Sequence, residues 1–183
     1  MDRWAALFAD LEGELAASEA AELEAEVRDR ARREVARLHL ADRLASALGH
    51  PVTVTAHGAG MLRGTLADAA PEWLLLAEAP GRELLVPIRN VLAVDGLGAL
   101  SEEPSGTTRR LTLSYALRAL ARRRSPVTLT LTDGSTVSGT FDRVGGDFAE
   151  LAEHPPNEPR RPQAVRRTRT IPATAIAVVR SEV

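Results

Sequence analysis

The sequence predicts an α+β protein in which N-terminal helices precede two tandem small five-stranded β-barrels. Three observations support this prediction: a Pro-free front with helical periodicity, an internal repeat that fills the rest of the chain, and short alternating strands separated by turn residues within each repeat. The length of 183 residues suits one ordinary domain or two small ones.

The helical front covers residues 2–48. It lacks Pro, and its apolar residues recur at helical spacing. Ser18 suits an N-cap, so the pattern allows either one long bent helix or a short helix over 3–17 followed by a longer one over 19–48. Gly49 ends the pattern. Glu and Arg flank a stripe that is mostly Ala, which is typical of a solvated helix suited to coiled-coil association.

The internal repeat begins at Pro51 and again at Pro126, an offset of 75 residues that continues without a gap to Ala77 and Ala152. The second copy then carries a ten-residue insertion, after which the copies align at an offset of 85, from Pro87 to Pro172. A helical segment precedes each copy, over 40–48 and 115–123. Trp73 aligns with Phe148, which predicts matched core aromatics.

Each copy contains five predicted strands. In the second copy Asp133-Gly134 predicts a hairpin turn, and Gly139 marks a bend or a close approach of another chain. Five short strands in so few residues are typical of an SH3-like barrel. The predicted strands lie near 52–57, 60–68, 72–78, 82–87 and 91–95, then 127–131, 137–143, 147–152, 164–171 and 174–180. The predicted domains are a helical region 1–39, a first barrel with its helix 40–98, a linker 99–108 and a second barrel with its helix 109–183.

The order of these motifs resembles the Sm-like superfamily, which includes Sm and Lsm proteins and the bacterial host-factor RNA chaperones. A helix, an alternating strand, an Asp-Gly turn, a hydrophobic-x-Gly-x-hydrophobic strand and an Ile-Pro-x-x-x-Ile segment carry the resemblance, over 40–98 and 115–180. It implies helix-capped five-stranded barrels, assembly through edge strands into rings or pseudo-rings, and RNA binding.

The family's base-reading residues are not carried over. Where an Asn is typical, this sequence has Leu74 in the first copy and Ala149 in the second, and neither can form a hydrogen bond with a base edge. The Tyr-Lys-His-type segment of the bacterial chaperones is also absent: the matching stretches are Leu85-Val-Pro-Ile and Thr170-Ile-Pro-Ala. The resemblance therefore concerns the fold and assigns no RNA pocket.

The composition argues against several kinds of chemistry. Without Cys there is no disulfide, thiolate zinc site, iron–sulfur cluster or Cys nucleophile. The four His residues have no metal-ligand spacing, and no phosphate loop, dinucleotide fingerprint or nucleophile elbow occurs. We therefore expect a non-enzymatic protein without catalytic residues, metal or cofactor. No apolar run approaches the ~20 residues of a membrane span and no secretory signal is visible, so we expect a cytoplasmic protein.

Charge is the remaining functional signal. The net charge is -2, but residues 1–50 hold 7 Arg and 11 acids, residues 51–104 hold 3 and 7, and residues 105–183 hold 13 and 7. The basic residues are all Arg. Clustered guanidinium groups can contact phosphates without reading sequence. The predicted nucleic-acid-binding residues are Arg122, Arg123, Arg124, Arg160, Arg161, Arg166, Arg167 and Arg169.

Two hypotheses follow. The first is a regulatory protein that binds RNA, or nucleic acid in general, through its Arg-rich second barrel. The second is an oligomeric scaffold or protein-interaction module that binds no nucleic acid. In that case the N-terminal helices or the barrel edges bind a second copy or another protein, and the basic half contacts the acidic front helices within or between chains.

Overall fold

The computed structural model describes residues 3–98, 111–156 and 161–182, with no side-chain placement for residues 3–10, 14, 16 and 182. The predicted linker 99–108 therefore lies outside the described residues. The chain divides into two compact units, Met1–His39 and Leu40–Val183.

The first unit contains one helix, α1 (Arg3–Val35). It runs through Ser18 without interruption, so a new helix does not start there, and it ends well before residue 48. Ion pairs one turn apart support its exposed surface: Arg28 contacts Glu24 at 3.5 Å and Arg30 contacts Glu34 at 3.2 Å.

The second unit contains two short helices and ten strands. The helices are α2 (Leu40–Ser46) and α3 (Leu113–Arg123). The strands are β1 (Pro51–Ala56), β2 (Gly60–Ala70), β3 (Trp73–Ala79), β4 (Arg82–Pro87), β5 (Val91–Asp95), β6 (Val127–Leu131), β7 (Thr136–Val144), β8 (Phe148–Glu153), β9 (Arg167–Pro172) and β10 (Ile176–Glu182). Every strand lies within a few residues of its predicted position.

The strands do not close into two barrels. They form one open antiparallel sheet in the order β5-β1-β2-β3-β4-β10-β6-β7-β8-β9. The α+β class is correct, but the prediction of two tandem five-stranded SH3-like or Sm-like barrels is wrong. The overturning feature is the pairing of β4 with β10, which sets Leu85 opposite Val179 and Leu84 opposite Arg180. This pairing satisfies backbone groups that an isolated half would leave unpaired at its edge.

The duplication is visible in the pairing of the strands. Val52 lies opposite Gly64 in the first half, and Val127 lies opposite Gly139 in the second. The second strand of each half bulges at the same aligned position, after Leu66 and after Phe141.

Gly139 allows two strands to approach each other closely. A Cβ atom at this position would lie 2.1 Å from the backbone oxygen of Ala152, and one at Gly64 would lie 2.7 Å from that of Ala77. The predicted close approach at Gly139 is therefore confirmed. At the predicted hairpin only Gly134 has a positive φ, of 84°, while the Asp133 carboxylate accepts hydrogen bonds from the backbone N–H and the hydroxyl of Ser135.

The two halves share their hydrophobic cores. Ala177 and Val178 of β10 pack into the core of the first half, while Trp73 and Leu85 pack into that of the second. Trp73 is buried, as predicted, but Phe148 is 37% exposed and lies against Gly145 instead. The halves consequently form one packed body.

Among the described residues no helix has both the length and the apolar character needed to span a membrane.

Candidate nucleic-acid interface

Helix α3 carries the first group of predicted Arg residues at its C-terminal end. The helix starts at a Thr112 cap, whose side chain accepts a hydrogen bond from the Tyr115 backbone N–H at 3.2 Å. The Glu72 carboxylate of the first half accepts a second one from Leu113 at 2.8 Å. Arg122 and Arg123 occupy the last turn, where positive charge complements the helix dipole.

Arg124 follows the helix in an unfavourable backbone conformation. Its φ is 52°, the one positive φ of a non-Gly residue within the described ranges. The aligned residue of the first copy is Gly49, with φ 80°. A side chain in this left-handed region costs about 1 kcal/mol, which Gly avoids. The second copy thus carries an Arg at a position where the first copy has the residue that the backbone favours.

All three Arg residues of this group are exposed. The guanidinium carbon of Arg122 lies 5.9 Å from the centre of the Tyr115 ring, within range of a weak cation–π contact. None of the three forms an ion pair with a described carboxylate, so their charges face solvent.

The connection from β8 to β9 carries the second group. Arg161 and Arg166 are exposed and form no ion pair with any described carboxylate. The backbone N–H of Arg166 donates to the Glu153 carbonyl at 2.8 Å, which ties the end of the connection to β8. Arg160 lies outside the described residues.

Arg167 and Arg169 of β9 are held by one carboxylate. The Oε2 atom of Glu153 lies 2.7 Å from Arg167 Nε and 3.3 Å from an amino group of Arg169. The hydrogen bond from Arg167, together with the charges of both Arg residues, lowers the pKa of Glu153, and the same hydrogen bond raises the pKa of Arg167. These two Arg residues are partly neutralised within their own half of the sheet.

The strand pairing brings the two groups to the same end of the sheet. Val127 of β6 follows Arg124 by three residues and lies opposite Gly139 of β7. Gly139 in turn lies opposite Glu153 of β8. Glu153 in turn lies opposite Arg167. At about 4.8 Å between neighbouring strands, Val127 and Arg167 are about 15 Å apart. We call Arg122, Arg123, Arg124, Arg161 and Arg166 the arginine patch, with Arg167 and Arg169 at its border.

Glu153 sets the charge available at this border, and no pattern in the sequence identifies it. The signal was weak because Glu153 and Arg167 are separated by the long Pro-rich insertion, and only the β8–β9 register brings them together. Arg118 is a second such residue: its guanidinium donates to the carbonyls of Val144 and Gly145 and connects α3 to the β7–β8 turn.

The positions that correspond to the family's base-reading residues face the interior. Leu74 and Ala149 are each 0% exposed and belong to the two hydrophobic cores. They are therefore unable to contact a base.

His154 has a structural role. It is buried, with Nε2 2.9 Å from the Thr140 hydroxyl and Nδ1 2.9 Å from the Pro155 carbonyl oxygen. The carbonyl accepts from Nδ1–H, so Nε2 is left to accept from the hydroxyl. Within the described ranges, no group of three or more His, Cys, Asp or Glu side chains is placed to hold a metal ion.

Comparisons with protein-family models, with curated proteins and with solved structures find no match to this chain.

Proposed function

We propose that this chain is a non-enzymatic protein that binds RNA, or nucleic acid more generally, by contacting phosphates with the arginine patch. The supporting observation is the concentration of exposed guanidinium groups, without carboxylate partners among the described residues, at one end of the sheet. Such groups add affinity that falls steeply with salt, because each phosphate contact releases counterions.

The expected binding mode is independent of sequence. Tyr115 is an exposed aromatic residue beside the patch, at 47% exposure, and Arg122 already covers its ring. Base stacking is therefore a minor contribution, and phosphate contacts supply most of the affinity. The left-handed backbone conformation of Arg124 supports a binding role for its side chain, since strained backbone conformations cluster at functional sites.

The test is fluorescence anisotropy of a labelled mixed-sequence single-stranded RNA at low salt. Replacing Arg122, Arg123 and Arg124 together with Gln is expected to weaken binding about tenfold or more. The double variant Arg161→Gln/Arg166→Gln is expected to weaken it several-fold. A control that removes the same charge elsewhere, Arg37→Gln/Arg63→Gln, is expected to change little. Absence of RNA binding by the unmodified protein, or equal losses in the control, would refute the proposal.

A second candidate function, an oligomeric scaffold, is favoured by the edges of the sheet. The alignment of the copies makes β9 the counterpart of β4 and β5 the counterpart of β10. Within the chain β4 pairs with β10, while β9 and β5 form the two outer edges. The pairing that joins the halves can therefore recur between β9 of one copy and β5 of the next.

The register of that pairing follows from the junction within the chain. Within the chain, Val179 lies opposite Leu85 and Arg180 lies opposite Leu84. At the aligned positions of the new junction, Val94 lies opposite Thr170 and Asp95 lies opposite Arg169. The Asp95 side chain is exposed and has no ion-pair partner among the described residues, so an aspartate meets an arginine across the new junction. A head-to-tail contact of this kind generates rings when it closes and filaments when it does not.

Mass photometry of the purified protein tests the second candidate. Particles larger than a monomer are expected, and Asp95→Arg is expected to shift them toward monomers, because it sets like charges opposite each other. Asp147→Arg, an equal change on the exposed β7–β8 turn, is the control. A monomeric unmodified protein, or assembly that Asp95→Arg leaves intact, would count against edge pairing.

Membership of the Sm-like superfamily stays a prediction that rests on the sequence motifs.

A further inference from the structure

Helix α1 exposes a group of apolar side chains that the two proposals above do not use. Leu23 and Val27 are 63% and 58% exposed. At 100° per residue, Ala20, Leu23, Val27 and Ala31 fall within an arc of about 80°. They form one narrow face, which we call the α1 face, and its two Ala residues leave room for close approach of another helix.

The charges of α1 change sign along the helix at this face. Every charged residue in 10–26 is acidic, whereas residues 28–35, the rest of the helix, contain four Arg and two acids. The change falls between Glu26 and Arg28, on either side of Val27. Each half of the helix is therefore complementary in charge to the other half, and not to itself.

We propose that α1 pairs with the α1 helix of a second copy in antiparallel orientation, with Leu23 and Val27 at the centre of the contact. Antiparallel pairing sets the acidic segment of each helix beside the Arg-rich segment of the other, at both ends of the contact. Parallel pairing sets acid beside acid and Arg beside Arg. Burial of the apolar face supplies affinity, and the charges select the orientation.

A single-helix explanation accounts for part of the charge pattern. Acidic residues toward the N-terminus and basic residues toward the C-terminus also complement the dipole of an isolated helix. That explanation does not require exposed Leu and Val on one face, and it predicts no contact between helices. The proposed pairing involves the first unit only, so it stands independently of RNA binding and of sheet-edge pairing.

Disulfide cross-linking of the full chain tests the orientation, because the protein has no native Cys. In an antiparallel pair centred between Leu23 and Val27, residue 20 of one helix lies opposite residue 30 or 31 of the other. A mixture of Ala20→Cys and Ala31→Cys proteins, one of them carrying a mass tag, is expected to give the mixed dimer about tenfold over either like pair. Ala25→Cys, on the opposite side of the helix, is the control.

Two results would overturn the proposal. Equal or greater yields of the like pairs would indicate parallel pairing, and mixed cross-linking no higher than that of Ala25→Cys would indicate an unpaired helix. Repeating the experiment with Asp95→Arg in both proteins separates the surfaces, since the mixed dimer is expected to persist when sheet-edge pairing is disrupted. Loss of the mixed dimer in that background would attribute it to edge pairing.

Discussion

At the scale of single residues, Glu153 sets how much positive charge the second half presents. Its carboxylate is shared by Arg167 and Arg169. Replacing it with Gln releases both guanidinium groups toward solvent. We expect Glu153→Gln to raise RNA affinity several-fold and to lower the free energy of unfolding by no more than about 1 kcal/mol, because the pair is partly exposed. Anisotropy and urea titrations check the two effects, and unchanged RNA affinity would remove Arg167 and Arg169 from the interface.

The same carboxylate gives stability a pH dependence. Because its Arg partners lower the pKa of Glu153 in the folded state, the contact stabilises the fold fully above the unfolded pKa, about 4.3, and the contribution is lost as pH falls through the folded value. The stability difference between the unmodified protein and Glu153→Gln should therefore shrink below about pH 4. Calorimetric melting between neutral and acidic pH measures this difference, and a gap that widens in acid would contradict the assigned ion pair.

Gly139 is a residue at which one added methyl group should reduce stability strongly. A Cβ atom there would meet the Ala152 backbone oxygen at 2.1 Å, whereas one at Gly146 would meet nothing within 4 Å. We expect Gly139→Ala to reduce the free energy of unfolding by about 2–4 kcal/mol, because two strands must separate. Gly146→Ala is the matched control and should stay within about 0.5 kcal/mol. If Gly139→Ala and Gly146→Ala reduced the free energy of unfolding equally, the close approach of the strands at Gly139 would be contradicted.

At the scale of elements, the positions of the strands could be predicted from the sequence, but their assembly into one sheet could not. The alternation of apolar and polar residues and the turn residues predict the strand positions, because these signals are local. The duplication provides independent support, because aligned segments of the two copies predict the same strands. The partner of an edge strand carries no such local signal. Nothing in the pattern of Leu84 or Arg180 indicates whether β4 closes its own half or joins β10, and this is where the barrel prediction failed.

The candidate site was predictable to a similar extent. The Arg clusters stand out in the sequence, and the α3 group keeps the solvent exposure expected of it. The ion pairs of Glu153 with Arg167 and Arg169 were not predictable, since they depend on the register between β8 and β9 across the insertion. The exposure of Phe148 was missed for a related reason: Trp73 is covered by Leu111 and α3, whereas Phe148 lies against its own turn.

The end of α3 gives a prediction in which stability and binding change in opposite directions. Arg124→Gly replaces a strained Arg with the residue found at the aligned Gly49. We expect the free energy of unfolding to rise by about 0.5–1 kcal/mol, because Gly adopts positive φ without steric cost, while RNA affinity falls. Thermal melting and anisotropy on the same samples check both. A less stable variant would contradict the left-handed assignment, and unchanged affinity would remove Arg124 from the patch.

At the scale of the whole molecule, the pairing of β4 with β10 should make both halves of the sheet unfold together. Val179 is 1% exposed and lies between Leu85 and Leu129. Val179→Pro removes a backbone donor from a central strand, and we expect the free energy of unfolding to fall by about 3 kcal/mol or more, as measured by urea titration.

The cooperativity of unfolding is tested by two probes. Circular dichroism and Trp73 fluorescence, in a Trp4→Phe background, should give one coincident urea transition when residue 179 is unchanged. Two separate transitions would indicate halves that fold independently.

The proposed function requires that the arginine patch bind nucleic-acid phosphates. Its most direct test is the salt dependence of RNA binding by the intact protein. We expect log K to fall linearly with log salt. Arg161→Gln/Arg166→Gln is expected to reduce the slope by about 1.4, or about 0.7 for each lost phosphate contact, while Arg37→Gln/Arg63→Gln leaves it unchanged. A slope near zero, or a slope that neither Arg161→Gln/Arg166→Gln nor the triple Gln variant of Arg122, Arg123 and Arg124 alters, would contradict phosphate binding by the patch.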